Sequence, residues 1–288
     1  MSATANNRSR QVREENSSDG EELLQLALAL GDMGQFEKAQ EIYEKLLEQQ
    51  TVESEKAPLC HQLGAMKWRQ GEYKEAIIYY EKSISIEEKI TPLQHTNLAD
   101  SYTGIGVVYS VMGEYSKALS YFEKALVLYQ QSLPSNHPNL ASSYSNIGNV
   151  YSIMGEYSKT LLYYEKSLSI RQQSLPSNHP ELAVSYNNIG GVCKRMGEHS
   201  KALSYYEKAL SIQQQSLPSN HPDLSSVYAN IGLTYEQMKI YDEALIFIAK
   251  AFEIAEKSLP KNHPDRENYK KDLGRINNKI SLFISSLK

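Results

Sequence analysis

Five histidines recur through the sequence at a constant spacing of 42 residues, and histidine is a common metal ligand. They are His95, His137, His179, His221 and His263. A metal site needs its donor atoms within about 2 Å of one ion. Equivalent residues of successive structural repeats should lie at least one helix spacing apart, about 8–10 Å. The spacing therefore predicts a structural role for these histidines and no metal site.

Few other residues have types and spacings that could do chemistry. Gly104-Ile105-Gly106 resembles half of a dinucleotide-binding fingerprint, but it lacks the third glycine and lies within a helical pattern. We interpret it as core packing. Cys60 and Cys193 lie far apart with no Cys-x-x-Cys spacing, which is typical of buried thiols in a reducing compartment. Since no phosphate-binding loop, nucleophile elbow or carboxylate pair is found, the sequence predicts neither enzyme activity nor a cofactor.

Composition narrows the classes of partner. The formal net charge is -4, which offers no basic face for nucleic acid. No apolar run approaches the roughly 18 residues that cross a bilayer. Residues 1–20 are polar, with no signal-peptide core, and carry too few apolar side chains to fold. We expect a soluble cytoplasmic protein with a disordered N-terminal tail over residues 1–20.

The chain is organised by a nine-residue string that spans Gln130–Pro138. It returns unchanged at 172–180 and 214–222, and a near copy occupies 257–264. A fixed period of this length is typical of a repeat architecture. Between the strings, residues such as Tyr144, Ile147, Gly148 and Tyr151 follow helical spacing. Each period therefore predicts two helices, and the recurring glycine within the first predicts close helix packing.

The string itself predicts where helices end and begin. Leu-Pro should end the second helix of a repeat, because proline disfavours helical geometry in the residue before it. The Ser-Asn pair should supply cap oxygens to the next helix. Pro138, Pro180 and Pro222 stand where a first helical turn tolerates a missing N–H.

One repeat reads Ile147-Gly148-x-x-Tyr151-x-x-x-Gly155-x-Tyr157-x-x-Thr160-x-x-x-Tyr164-x-x-Ser167. This string resembles the tetratricopeptide repeat (TPR) pattern. The 42-residue length and the Asn-His-Pro lead-in are similar to the TPR domain of kinesin light chains. The resemblance covers about residues 21–270. It implies an all-α fold, a right-handed superhelical solenoid of stacked helix–turn–helix repeats.

The predicted domain organisation is six repeats followed by a C-terminal capping helix. The repeats are expected at about 21–56, 57–94, 95–136, 137–178, 179–220 and 221–264, and the cap at 265–288. The cap should turn apolar side chains towards repeat six, namely Ile276, Ile280, Phe283, Ile284 and Leu287. Its polar side chains should face water, namely Lys270, Lys271, Arg275 and Lys279.

The resemblance implies that the first helices line a concave groove that binds peptides. The candidate binding residues are Asn146, Asn149, Asn187, Asn188, Lys194, Arg195 and Asn230. Asn146, Asn188 and Asn230 share one place in three successive repeats. In peptide-binding TPR proteins an asparagine at this place bonds the ligand backbone, because a carboxamide both donates and accepts. The alternative is that these asparagines reflect recent duplication or contact neighbouring helices. Lys194 and Arg195 either receive an acidic ligand side chain or are simply solvated.

The leading functional hypothesis is a non-catalytic interaction scaffold, or adapter, that binds an extended segment of a protein or peptide, as kinesin light chains do. The alternative is a recruiting module derived from a larger enzyme, such as an ADP-ribosyltransferase–TPR protein, whose catalytic domain this chain lacks. Self-association through the ends of the array is a third reading, and it is not the favoured one.

Overall fold

The structure is a computed structural model that describes residues 20–90 and 95–286. Within these residues the chain forms thirteen helices and no strand, so the all-α prediction is confirmed. The predicted tail lies almost wholly outside the described residues. Contacts divide the chain into an N-terminal unit, Met1–Leu133, and a C-terminal unit, Pro134–Lys288.

The N-terminal unit contains six helices. They are α1 (20–32), α2 (Phe36–Gln49), α3 (Glu53–Arg69), α4 (Tyr73–Glu87), α5 (His95–Val111) and α6 (Tyr115–Ser132). Each odd-numbered helix pairs with the even-numbered helix that follows it.

The C-terminal unit contains seven helices. They are α7 (Pro138–Ile153), α8 (Tyr157–Ser174), α9 (Pro180–Arg195), α10 (His199–Ser216), α11 (Pro222–Gln237), α12 (Tyr241–Ser258) and α13 (Pro264–Ser286). The pairs α7–α8, α9–α10 and α11–α12 form three repeats, and α13 packs against α12.

A glycine within the first helix of repeats two to six brings the paired helices into close contact, as predicted. A Cβ built on Gly148 would lie 2.7 Å from the Tyr164 ring, and one on Gly190 would lie 2.8 Å from the Tyr206 ring. Carbon atoms do not approach so closely, so any larger residue would push the second helix away. The glycine therefore permits an aromatic side chain to fill the core between two helices.

The turn between paired helices needs a left-handed backbone conformation. Gly155 adopts φ +77° at this turn, and Lys239 takes the equivalent place in repeat six with φ 64°. A side chain disfavours this conformation, whereas glycine adopts it readily. Repeat six therefore keeps the same turn conformation with lysine in place of glycine, although this lowers the free energy of unfolding.

The cap at the start of the first helices differs from the prediction. The capping acceptor is the imidazole Nδ1 of His137, which accepts from the Asn139 N–H at 3.1 Å. His179, His221 and His263 make the same bond at 3.3 Å. The predicted Ser-Asn oxygens are not the caps. An imidazole nitrogen two residues before the donor N–H does the work of a serine oxygen, and proline follows it at the first helical position, as predicted.

Helix α13 is a single continuous helix that packs against α12. Tyr269 and Ile276 are buried in the same apolar cluster as Ile248 and Ile254. Ile280 packs at its margin, whereas Ile284 is 51% exposed. The side chains of Phe283 and Leu287 lie outside the described residues. The apolar contact of α13 thus rests mainly on its first half.

Two further findings concern the whole described chain. Helices long and apolar enough to cross a bilayer are absent from the described residues. Cys60 and Cys193 are free and buried, and burial raises the pKa of both thiols. Both thiols are therefore poor nucleophiles, and the prediction that they are buried is confirmed.

Candidate functional site

The side of α7, α9 and α11 that does not pack into the core forms one surface of the C-terminal unit, here called the first-helix face. Side-chain hydrogen bonds connect its helices. Arg195 on α9 donates to the Ser152 hydroxyl on α7 at 3.4 Å. The Asn230 amide on α11 donates to the Asn187 oxygen on α9 at 3.1 Å. All seven predicted binding residues lie on this face.

Asn146 and Asn188 present their carboxamides at the surface. Asn146 is half-buried and Asn188 is exposed, and neither makes a hydrogen bond to another described residue. Each carboxamide can donate two hydrogen bonds and accept two. These two side chains therefore keep their capacity for a ligand.

The other asparagines have partners inside the C-terminal unit. Asn149 accepts a hydrogen bond of 2.5 Å from the Tyr164 hydroxyl. Asn230, the third member of the predicted series, donates to Asn187. The three asparagines at equivalent places of their repeats thus have different surroundings. Contact with a neighbouring helix, the alternative role weighed for them, applies to Asn230.

Lys194 and Arg195 lie side by side at the end of α9. The Lys194 ammonium is 6.0 Å from the centroid of the Tyr206 ring, and the Arg195 guanidinium is 5.9 Å from that of Tyr157. Burial lowers the pKa of the Lys194 ammonium, and the charge of Arg195 lowers it further. Two adjacent cations on this face would favour an anionic ligand group.

Arg275 and Lys279 are about half-exposed to water, as predicted, but they also form ion pairs that sequence reasoning did not find. Both side chains donate to the Glu236 carboxylate on α11, at distances of 2.7–2.9 Å. Glu236 is only 8% exposed. Lys270 and Lys271 are exposed, as predicted. The partner was missed because it lies on another helix, 39 residues earlier.

In the N-terminal unit, a cavity of about 310 Å³ opens against α3 and α5. Its lining combines apolar and polar residues, namely Trp68, Tyr80, Ala65, Val107, Gly104, His61, Arg69, Asp100 and Thr103. Sequence reasoning did not find it. The signal in the sequence was Trp68, the one tryptophan of the chain. The equivalent residue of the first helix two repeats later, 84 positions further on, is Ser152.

The polar groups of this cavity are partly engaged. Asp100 accepts a hydrogen bond from the Tyr129 hydroxyl, and His61 Nδ1 lies 3.1 Å from the Ser101 hydroxyl. Burial lowers the pKa of His61, although the charge of Asp100 opposes this. The ring of Tyr80 lies against Gly104, where a Cβ would approach it to 2.5 Å. Gly104 therefore packs against a core side chain, as predicted.

The recurring tyrosines stack within their own repeats. Tyr151 and Tyr163 stack with ring centroids 5.5 Å apart, and Lys166 lies 5.3 Å from the Tyr163 ring. Similar stacked pairs are Tyr109–Tyr121 in repeat three and Tyr235–Phe247 in repeat six. These contacts give the recurring aromatic residues a structural role.

Successive helix pairs of constant period define a helical repeat protein. The family model "Tetratricopeptide repeat" matches residues 21–89, 57–131, 97–173, 139–215 and 181–257. The chain belongs to the tetratricopeptide repeat family. No curated protein matches it in sequence.

Solved structures of other repeat proteins share the fold. BtubC (BKLC) from P. vanneervenii is 18% identical, with a TM-score of 0.68 over 80% of this chain and 92% of that one. The nearly identical TPR-like repeats assigned to a kinesin light chain of Podosopora anserina are 20% identical, with a TM-score of 0.64 over 73% and 100%. YrrB, a TPR protein with an unusual peptide-binding site, is 21% identical, with a TM-score of 0.51 over 80% and 97%. At this level of identity the likeness shows the fold alone.

Proposed function

We propose that the chain is a non-catalytic cytoplasmic adapter that binds an extended peptide segment of a partner protein along the first-helix face. Tetratricopeptide repeats serve as scaffolds for protein–protein interaction, and this role extends to the present chain. The kinesin-light-chain-like role is the specific form that we favour. The recruiting module of a larger enzyme, weighed as an alternative, is favoured by no observation on the described residues.

The observation that carries the proposal is the state of Asn146 and Asn188. Both carboxamides lie at equivalent places on adjacent first helices and make no hydrogen bond to other described residues. An extended peptide presents one N–H and one C=O per residue. A carboxamide can pair with both groups whatever the ligand side chain is.

Three further features support the proposal. YrrB, a protein of this fold, has an unusual peptide-binding site. Arg195, beside Lys194, adds positive charge to the same face, which would orient a ligand that carries an acidic residue. Cys60 and Cys193, both free and buried, are typical of a reducing compartment such as the cytoplasm.

The test is selection of a random dodecapeptide phage library on the immobilised full chain, followed by affinity measurement with the enriched peptides. Asn188→Ala should weaken binding roughly five- to a hundredfold, because two hydrogen bonds are lost. Asn146→Ala should act in the same direction. The loss should be similar for peptides of different sequence, since the carboxamide contacts the backbone.

The matched control is Asn178→Ala, which removes an exposed asparagine in the turn before α9. It should bind as the wild type does, and circular dichroism should show unchanged helicity for all variants. If the library yields no enriched peptide, or if Asn146→Ala and Asn188→Ala bind like the control, the proposed function is wrong.

A further inference from the structure

The hydroxyl group of Tyr206 is buried and has no hydrogen-bond partner among the described residues. The side chain as a whole is 0% exposed. Phe122 in the N-terminal unit and Ile248 in repeat six occupy the equivalent place without a hydroxyl. Packing of the ring therefore does not require the oxygen atom. A buried hydroxyl without a partner destabilises a fold, so it calls for an explanation.

The preceding repeat shows what satisfies this hydroxyl. There the equivalent residue is Tyr164, whose hydroxyl donates to the carboxamide oxygen of Asn149 at 2.5 Å. The residue 42 positions after Asn149 is Gly191. The acceptor is thus removed in repeat five while the donor is kept.

The absence of a side chain at Gly191 leaves space beside the hydroxyl. A Cβ built on Gly191 would meet only the Tyr206 oxygen within 4 Å, at 3.8 Å. In repeat two, Ala65 stands at the place of Gly191, and Tyr80 stands at the place of Tyr206. Both residues line the cavity against α3 and α5. We call the space beside Gly191 the Gly191 notch.

A comparison within the chain separates this feature from a buried hydroxyl alone. Tyr43 in repeat one also has a buried hydroxyl without a partner among the described residues. The residue of α1 at the place of Gly191 is Leu28, however, which carries a full side chain. Repeat five combines the unpaired donor with a glycine at which an added Cβ would meet nothing closer than 3.8 Å.

The groups around the Gly191 notch are donors and cations. Tyr206 offers an O–H, the Lys194 ammonium lies 6.0 Å from its ring centroid, and Arg195 is the next residue. Burial lowers the pKa of Lys194, so an anion that neutralised this charge would be favoured. A carboxylate accepts hydrogen bonds and carries the negative charge that two cations favour, whereas a carboxamide is neutral, and Lys194 and Arg195 offer no acceptor to its amino group.

We propose that the Gly191 notch receives the carboxylate of an aspartate or glutamate side chain of the bound peptide. This inference rests on the proposed function. The ligand carboxylate accepts from the Tyr206 hydroxyl, as Asn149 does from Tyr164, and Lys194 and Arg195 balance its charge. Repeat five thereby selects one acidic residue at a fixed position of the ligand, while Asn146 and Asn188 hold its backbone.

The experiment uses the full chain and the peptides enriched from the random dodecapeptide phage library. One acidic position should be common to these peptides. A synthetic peptide is then made with aspartate, asparagine or alanine at that position. Wild type should bind the aspartate form at least tenfold more tightly than the other two. Alanine loses the acceptor altogether, and asparagine keeps an acceptor oxygen but loses the charge that Lys194 and Arg195 balance.

Three variants test the notch itself. Gly191→Asn supplies the internal acceptor that Asn149 supplies in repeat four, and should abolish the preference for aspartate. Tyr206→Phe keeps the ring against Gly190 and removes only the donor, so it should weaken the aspartate form about tenfold and leave the alanine form unchanged. Gly191→Ala fills the notch without adding an acceptor, and it should also reduce the preference for aspartate. It provides a second test in case Gly191→Asn does not fold.

The outcomes separate the two proposals. If Gly191→Asn, Gly191→Ala and Tyr206→Phe all prefer the aspartate form as the wild type does, while Asn188→Ala binds weakly, the notch is wrong and the adapter function stands. Enriched peptides without a common acidic position would also refute the notch alone. If selection on the wild type enriches no peptide, both proposals are wrong.

Discussion

Glu236 on α11 and Arg275 on α13 form a two-point ion pair. Nε of Arg275 donates to one carboxylate oxygen at 2.8 Å, and Nη2 donates to the other at 2.7 Å. Lys279 adds a third hydrogen bond at 2.9 Å. A planar guanidinium matches both carboxylate oxygens, so the pair fixes orientation as well as distance. It therefore sets the rotation of α13 against repeat six, beside the apolar contact of Ile276.

Removing the cations should cost more than removing the carboxylate. Arg275→Ala combined with Lys279→Ala leaves a carboxylate that is 8% exposed without its partners, and should lower the free energy of unfolding by about 2–3 kcal/mol. Glu236→Gln leaves two half-exposed cations that water can solvate, and should cost about 1 kcal/mol. Urea titration measures both. Lys270→Ala with Lys271→Ala changes the charge equally at exposed positions and should be nearly neutral.

The same pair predicts a dependence of stability on pH. The hydrogen bond from Arg275 lowers the pKa of Glu236 below its usual range. The carboxylate therefore stabilises the fold fully above the unfolded-state pKa, about 4.3, and this stabilisation is lost as pH falls through the lower folded-state pKa. The stability difference between wild type and Glu236→Gln should shrink as pH is lowered from 7 to 3 in thermal melts. If the stability difference between the two proteins stayed constant over this range, the charge of the Glu236 carboxylate would not be what stabilises the fold.

Deleting residues 266–288 should expose the apolar side of α12. Tyr269 and Ile276 are buried in the cluster that contains Ile248 and Ile254, and the deletion removes both. A terminal repeat without a cap exposes an apolar surface to water. We expect aggregation or a melting temperature several degrees lower, followed by light scattering and circular dichroism. Equal solubility and an unchanged melting temperature would rule out α13 as a cap.

The histidine caps predict a substitution series at His179. His179→Ala removes the acceptor for the Glu181 N–H, and should cost about 1 kcal/mol, typical of a lost helix cap. His179→Asn restores an acceptor at the same position and should recover most of the loss. Thermal melts of the full chain measure both. If alanine and asparagine were equally destabilising, the histidines would stabilise by packing and not by capping.

Two glycines of the first helices should respond oppositely to the same substitution. Gly148→Ala places a Cβ 2.7 Å from the Tyr164 ring, and should destabilise by about 1–3 kcal/mol. Gly191→Ala meets nothing closer than 3.8 Å, and should stabilise by up to about 1 kcal/mol, because alanine favours the helix. Calorimetry on the pair distinguishes these signs. Destabilisation by both would mean that Gly191 is also a packing residue.

The helix order could be predicted from the sequence because its signals are local. Leu133-Pro134 ends α6 and Pro138 begins α7, as the string predicts. Contacts between helices were harder to predict. The pairing of Arg275 with Glu236 was not predicted, because Glu236 lies two helices earlier and is brought near only by packing. Tyr206 and Gly191 could have been found by comparing each residue with its equivalent 42 positions earlier, which pairs Gly191 with Asn149.

The identical strings at 130–138, 172–180 and 214–222 have an evolutionary consequence. Excising residues 139–180 would join His137-Pro138 directly to Glu181, with the same residues before and after the junction as His179-Pro180 has now. The imidazole would still find an N–H two residues later, and Pro138 would still start a helix. Recombination between copies thus creates no foreign junction. The number of repeats is a quantity that a lineage can vary in single steps, and with it the number of helices that form the first-helix face.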